Sequence, residues 1–224
     1  MWRLAAPSSY ISGMPTATPV EITVFSDYLC PWCWPAAVHL KRLREEFGPA
    51  IRVIRRAFLL RPDDAERSFT AYHLQHRVAA ESATGLPFHV PRAGAPYPRS
   101  SAWALEAAKW VERHHPDRVE DFALAVFQAF FQVSLDISSP ALLAKLATQL
   151  GLDGAALATA LERHDHRAEV FADHDEAMRR GITAVPAVII GHDSVSGAAP
   201  YEEYAKAVRD ELASRQPAKR AARV

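Results

Sequence analysis

The two cysteines of this 224-residue chain, Cys30 and Cys33, stand two residues apart between an apolar β-branched run and a helical one. That placement restricts what can form around them. In a first helical turn a Cys-x-x-Cys pair can close a small disulfide ring while one sulfur stays at the N-terminal tip. The stretch Phe25-Ser26-Asp27-Tyr28-Leu29-Cys30-Pro31-Trp32-Cys33-Trp34 predicts this arrangement, because residues 21–26 read as a strand and residues 36–47 as a helix. Cys30 is then the exposed tip, where unpaired backbone N–H groups and the positive end of the helix dipole favour thiolate over thiol. Pro31 suits the first helical position, where its missing N–H costs nothing. Cys33, one turn deeper, is shielded and acts second.

A redox pair is the economical reading, and two plainer ones stand beside it. Half a zinc site needs four ligands, and without a second cysteine pair histidines would have to complete it. An inert core pair does not account for Pro-Trp between the cysteines at a strand-to-helix turn.

The rest of the chain fits a β-α-β unit that is interrupted and then resumed. Leu40, Leu43 and Phe47 share one helical face, Gly48-Pro49 ends that helix, and residues 51–60 read as a second strand. From residue 62 to 180 the period is helical, about five helices in all. Ser139-Pro140 and Asp153 mark helix starts, and Gly151 and Gly181 mark helix ends. Val119, Phe122, Ala123, Val126, Phe127 and Phe130 form an apolar stripe that reads as core. Residues 85–99 hold four prolines and read as an extended surface loop. Strand character returns at 187–190 and about 194–197, flanking His192-Asp193 as a hairpin, and residues 201–214 close the chain as a helix.

Charge excludes partners chosen by bulk electrostatics. The 26 basic and 26 acidic side chains cancel, so nucleic acid and an anionic membrane are not expected partners. Residues 1–20 read as a flexible extension without the apolar core of a secretory signal, and Met14 is an alternative start to Met1. No run is long enough to span a bilayer. Two cysteines with no structural disulfides fit a reducing cytoplasm. Residues 215–224 read as a frayed basic tail.

The order of elements, the Cys-Pro-x-Cys at the first helix and Val185-Pro186 ahead of the third strand resemble the thioredoxin fold of the DsbA superfamily. Within it the chain looks like the cytoplasmic FrnE-like branch. The match is carried by Ser26-Asp27 with Cys30 to Trp34, by Gly85-Leu86-Pro87-Phe88, by the run from Gly181 to Pro186, and by Ser196-Gly197-Ala198 before Pro200. The resemblance implies an α/β fold with a thioredoxin-like domain from residues 21–61 and 181–214, and a helical insertion at 62–180. It implies a thiol-disulfide oxidoreductase with Cys30 as nucleophile and Cys33 as resolving thiol. It also implies a cis Val185-Pro186 bond facing them, so that Pro31, Trp32, Val185 and Pro186 bind substrate.

Two departures stand out. Pro35-Ala36 follows Trp34 where this branch carries a residue and then glycine. Val24 stands six before Cys30, where exported DsbA enzymes carry an acid, so any carboxylate assisting Cys33 comes from elsewhere. Asp27 is the nearest in sequence, either as that proton-transfer group or as a turn and cap residue.

His164, Asp165, His166 and His174 can be drawn as a metal cluster, but two residues apart on a helix point in different directions. They read as a solvated helix face, and neither metal nor bound cofactor is expected. The expected substrate is a protein, peptide or small-molecule disulfide or thiol, with a low-molecular-weight thiol allowed as co-substrate, and a homodimer is compatible with the sequence. The rivals are a glutathione-dependent isomerase of the 2-hydroxychromene-2-carboxylate type, which generally has serine at the position of Cys30, and a binding module with vestigial thiols.

Overall fold

A computed structural model describes residues 18–196, without the side chain of Ser196, and 199–215. The expected N-terminal extension up to residue 17, the Gly197-Ala198 pair and the tail from residue 216 lie outside the described residues. Strand β1 (Val20–Ser26) leads to helix α1 (Cys33–Phe47), and a short 3-10 turn at Gly48–Ala50 brings the chain back along β2 (Ile51–Ala57). Gly48, at φ +50°, makes the reversal that a side chain would resist.

A two-stranded ribbon of β3 (Arg67–Ser68) and β4 (Pro96–Tyr97) brackets α2 (Ala71–Thr84). The helices α3 (Ala102–His114), α4 (Val119–Phe131), α5 (Pro140–Gln149), α6 (Gly154–Glu162) and α7 (Arg167–Arg179) follow. Strands β5 (Ala187–Ile190) and β6 (Asp193–Ser196) and helix α8 (Tyr201–Ser214) complete the order.

The main sheet has the order β2-β1-β5-β6, with β1 parallel to β2 and antiparallel to β5. Alternation along β1 sends Val20, Ile22 and Val24 to one face, against Leu40 and Leu43 of α1 and Tyr204 and Val208 of α8. On the other face Phe25 meets Phe58 and Ala177 of α7. The insertion is therefore not a detached body. Its last helix covers the sheet, and its main core, built on Phe122, Val126 and Phe130, is continuous with Tyr28, Cys30, Cys33 and Trp34.

Three expectations need correction. The second strand ends at Ala57 rather than residue 60. Beyond it side chains capture the backbone donors: Leu59 N–H reaches His174 Nδ1 at 3.1 Å and Leu60 N–H reaches Asp27 Oδ2 at 2.7 Å. Residues 85–99 are not simply a surface loop, because Phe88 and Tyr97 are buried and Pro96-Tyr97 pairs with β3. The α-helices between residues 62 and 180 number six among the described residues. The helix starts are as expected, with Ser139 Oγ accepting from Leu142 N–H and Asp153 Oδ1 from Ala156 N–H.

Candidate active site

Two successive turns carry the chain from β1 to α1. Cys30 N–H donates to Asp27 O and Cys33 N–H to Cys30 O, each at 3.1 Å. This three-residue repeat sets Cys33 one step behind Cys30. The helix begins at Cys33, so Pro31 sits in the turn before it and not at the first helical position, which corrects the sequence expectation. Pro35 falls in the first helical turn, where no intrahelical N–H bond is lost.

Asp27 is wholly buried beneath this turn. Its Oδ1 accepts from Leu29 N–H, and its Oδ2 from Leu60 N–H and Ser101 Oγ–H, all at 2.7 Å. One carboxylate thus ties the cysteine loop to the end of β2 and to the start of α3. Burial pushes its pKa up to about 6, partly offset by those three donors and by Arg61.

Cys30 is not a protruding tip. The residue is 6% exposed and forms the floor of a cavity of about 420 Å³, together with Pro31, Trp32 and Val185. Helix α2 and the segment before β5 close in around it, and its Sγ donates to Val185 O at 3.2 Å. The Val185-Pro186 bond is cis, as the resemblance implies, and Pro186 is buried just beyond the cavity wall. Cys33, 1% exposed, does not reach this cavity. Burial pushes its thiol well above the ordinary range, and its hydrogen bond with Cys30 and the charges of Cys30 and Asp27 add to that, while the Asp27 backbone works against it.

The cavity walls are aromatic and cationic. Tyr72, Tyr97, Phe130 and Phe131 line it, with Arg61, His73, His76 and Arg77, and among its described lining residues there is no aspartate or glutamate. His76 packs on Tyr72 and His73 stacks on Tyr97, both at 4.3 Å between ring centroids. Arg77 is 2% exposed, and the partners described for it are neutral. It donates to the carbonyls of His89, Phe130 and Phe131 and to Ser134 Oγ, under the rings of Phe69, Phe130 and Phe131. Burial draws its pKa down to about 10, which leaves it charged at neutral pH.

Sequence reasoning missed Arg77 and Glu120. Both had a signal in helical spacing. Arg77 lies three from Leu74 and three from Ala80, and Glu120 lies three from Ala123 and seven from Phe127, so each shares a helix face with apolar residues. Glu120, 8% exposed, accepts from Arg44 at 3.0 Å and from Arg55 at 2.6 Å.

The histidine expectation also needs correction. His164 and His166 lie in the turn between α6 and α7, and His166 is buried rather than solvated. Their Nδ1 atoms face Glu106 and Glu169 separately, while His174 Nδ1 accepts from Leu59 N–H. Among the described residues no three metal-binding side chains converge, and no helix is long and apolar enough to cross a membrane.

The Bacillus subtilis (strain 168) protein YwbO, itself uncharacterised, is 30% identical over 203 residues, covering 86% of this chain and 97% of YwbO. Among solved structures, a putative protein disulfide isomerase from Nitrosomonas europaea superposes with a TM-score of 0.76 at 21% identity, over 88% of this chain and 100% of that one. The cytosolic disulfide reductase DsbM from Pseudomonas aeruginosa with GSH superposes with a TM-score of 0.70 at 18% identity, over 87% and 98%. At these identities the two structures speak for the fold. The DSBA-like thioredoxin domain family matches residues 21–209, a span that holds both cysteines, the Val185-Pro186 bond and the whole helical insertion. This chain belongs to the DSBA-like thioredoxin domain family.

Proposed function

We propose that the chain is a thiol-disulfide oxidoreductase in which Cys30 attacks and Cys33 resolves. The carrying observation is the placement of Cys30 Sγ on the cavity floor, 3.2 Å from Val185 O. The Cys30 thiolate attacks one sulfur of a substrate disulfide, and the other sulfur leaves as thiolate with the electron pair. Cys33 then attacks Cys30 Sγ, which closes the internal disulfide and expels the second substrate thiolate. The reverse sequence oxidises a dithiol. Val185 O, occupied by the Cys30 thiol at rest, is free to accept a substrate N–H once that proton has left. Pro31, Trp32 and Val185 frame the substrate sulfur, Pro186 holds Val185 in place from behind through the cis bond, and Asp27 acts on the thiols through its charge.

The cavity favours a compact substrate over an extended chain alone. It is large enough for a small thiol, and its aromatic walls and the arginines Arg61 and Arg77 suit one that carries a carboxylate. DsbM with GSH, a structure of similar fold, gives this reading its analogy. We assign the protein to the cytoplasm on its cysteine usage.

Reduction of an insulin disulfide and of a small carboxylated disulfide, each compared between wild type and Cys30→Ser, tests the proposal. Loss of both activities in the variant is expected. Absence of exchange in the wild type would favour the isomerase or the binding module, and exchange that survives in Cys30→Ser would overturn Cys30 as the nucleophile.

A further inference from the structure

The two sulfurs face different cavities. Behind the cysteine loop lies a second, much smaller one of about 30 Å³, lined by Cys33 but not by Cys30. Its polar lining comes from Ser26, Tyr28, Arg55 and Glu120 beside the Cys33 thiol, and the remainder is apolar. About 10–15 Å³ of such space holds one water, provided two or more polar groups meet it. This cavity satisfies both conditions.

Glu120 reaches it from the first turn of α4, across the helix pair α1 and α4. Its carboxylate accepts three bonds, two to Oε1 from Arg44 and Arg55 and one to Oε2 from Arg44. A carboxylate offers about four acceptor sites, so Oε2 retains one. Asp27, the nearest carboxylate in sequence, lines neither cavity, and its two oxygens already accept from three donors. The other ionisable groups facing Cys33 are Cys30, Asp27 and Tyr28 on the loop, Arg55 of β2 and Tyr204 of α8. Burial holds both tyrosines protonated, so neither accepts a proton near neutral pH.

We propose that Glu120, acting through a water in this rear cavity, receives the proton of the resolving thiol and returns it when the enzyme runs in reverse. The proposal rests on the exchange reading above. During resolution the Cys33 S–H proton passes to the water, which gives a proton to Glu120 Oε2. The Cys33 sulfur bonds to Cys30 Sγ as the bond from Cys30 to the substrate sulfur breaks. The substrate leaves as thiolate with the electron pair, so the enzyme dithiol is oxidised by two electrons and the substrate disulfide is reduced. Glu120 then releases the proton to solvent. The substrate enters from the front of the loop and the proton leaves from the back.

The test uses dithiobis-nitrobenzoate, which liberates one coloured thiolate when Cys30 attacks and a second when Cys33 resolves. In Glu120→Gln the first release should match wild type. The second should slow roughly 100-fold at neutral pH, the scale of a lost proton acceptor, and the gap should narrow as hydroxide takes over at higher pH. Ala123→Val, which fills the rear cavity and leaves Glu120 in place, should slow the second release with the same pH signature. It also carries the test alone if Glu120→Gln does not fold. Asp121→Asn removes a neighbouring α4-to-α1 ion pair, to Lys41, without touching the cavity, and should leave both releases unchanged. The proposal is overturned by a second release indifferent to Glu120→Gln and Ala123→Val, by equal slowing in Asp121→Asn, or by a gap that does not change with pH. Absence of the first release in wild type would instead overturn the exchange reading beneath it.

Discussion

The front and the back of the Cys30-Pro31-Trp32-Cys33 turn are built from opposite chemistry. In front, about 420 Å³ is walled by aromatic rings and four basic side chains, with no acid among the described lining residues. Behind, about 30 Å³ carries a single acid held between two arginines. The proposed exchange calls for both environments, because in it the attacking sulfur must meet a substrate while the resolving one must only lose a proton. The turn faces each sulfur to one of the two cavities, and the helical insertion supplies walls to both, through α2 and α4.

The largest effect should come from breaking the two sides separately. Cys33→Ala keeps the attacking thiol and loses the resolving one, so it should accumulate mixed disulfides with almost complete loss of turnover. Cys30→Ala should accumulate none. Equal trapping by the two variants on non-reducing gels would remove the distinction between front and back. In the reduced wild type, alkylation under native conditions should modify Cys30 first, because Cys33 is 1% exposed and its thiol is held well above the ordinary range by burial. Peptide mapping of the labelled site checks this.

Next in size is the buried cation of the front wall. Arg77→Met keeps the apolar stem but takes the charged donor from three carbonyls and Ser134 Oγ, leaving His89 O with no other described donor. Stability should fall by about 3 kcal/mol, the scale for several polar groups losing a charged partner. Urea unfolding gives the number, and a loss below about 1 kcal/mol would show that water replaces the guanidinium.

The turn between the two sides should report pH. Burial moves the Asp27 pKa to about 6 in the fold from an ordinary 3.8, so the folded state holds its proton more tightly than the unfolded chain. Its contribution therefore favours the fold fully below about pH 4 and is lost as pH rises through 6, a change of about 3 kcal/mol. Asp27→Asn removes this titration, so the stability of wild type relative to the variant should decline between pH 4 and 7. A flat difference would place the Asp27 pKa near its unfolded value.

Much of this architecture was readable from local signals. Strand runs, Gly48, Ser139, Asp153 and Gly181 act on their own neighbours, and α8 spans the same residues in the sequence and in the structure. The cysteine spacing likewise named both thiols. What could not be read depends on partners far along the chain. Glu120 meets Arg55 and Arg44 across 65 and 76 residues, and a lone charge in an amphipathic helix looks solvated until the opposing element is known. The end of β2 was misplaced for the same reason, since apolar residues 58–60 continue the strand pattern while Asp27 and His174 capture their backbone. Helix α7 was legible as a helix but not as a cover for the sheet.

The smallest effect should separate charge from shape in the front cavity. Arg61 lines it, is only half-buried and shares that space with the charge of Arg77, while burial and these cations hold the His73 imidazole below its ordinary range. Since water screens Arg61, its pull on a substrate carboxylate is worth about 1 kcal/mol, roughly fivefold in affinity. Arg61→Gln should therefore weaken kcat/KM about fivefold for a small carboxylated disulfide and leave the same disulfide in its amide form unchanged. The difference should shrink as salt rises from low to physiological strength, because the interaction reaches across solvent. Equal losses for acid and amide would mean that Arg61 shapes the cavity mouth. Unchanged rates for both would leave the front wall's recognition to its aromatic rings.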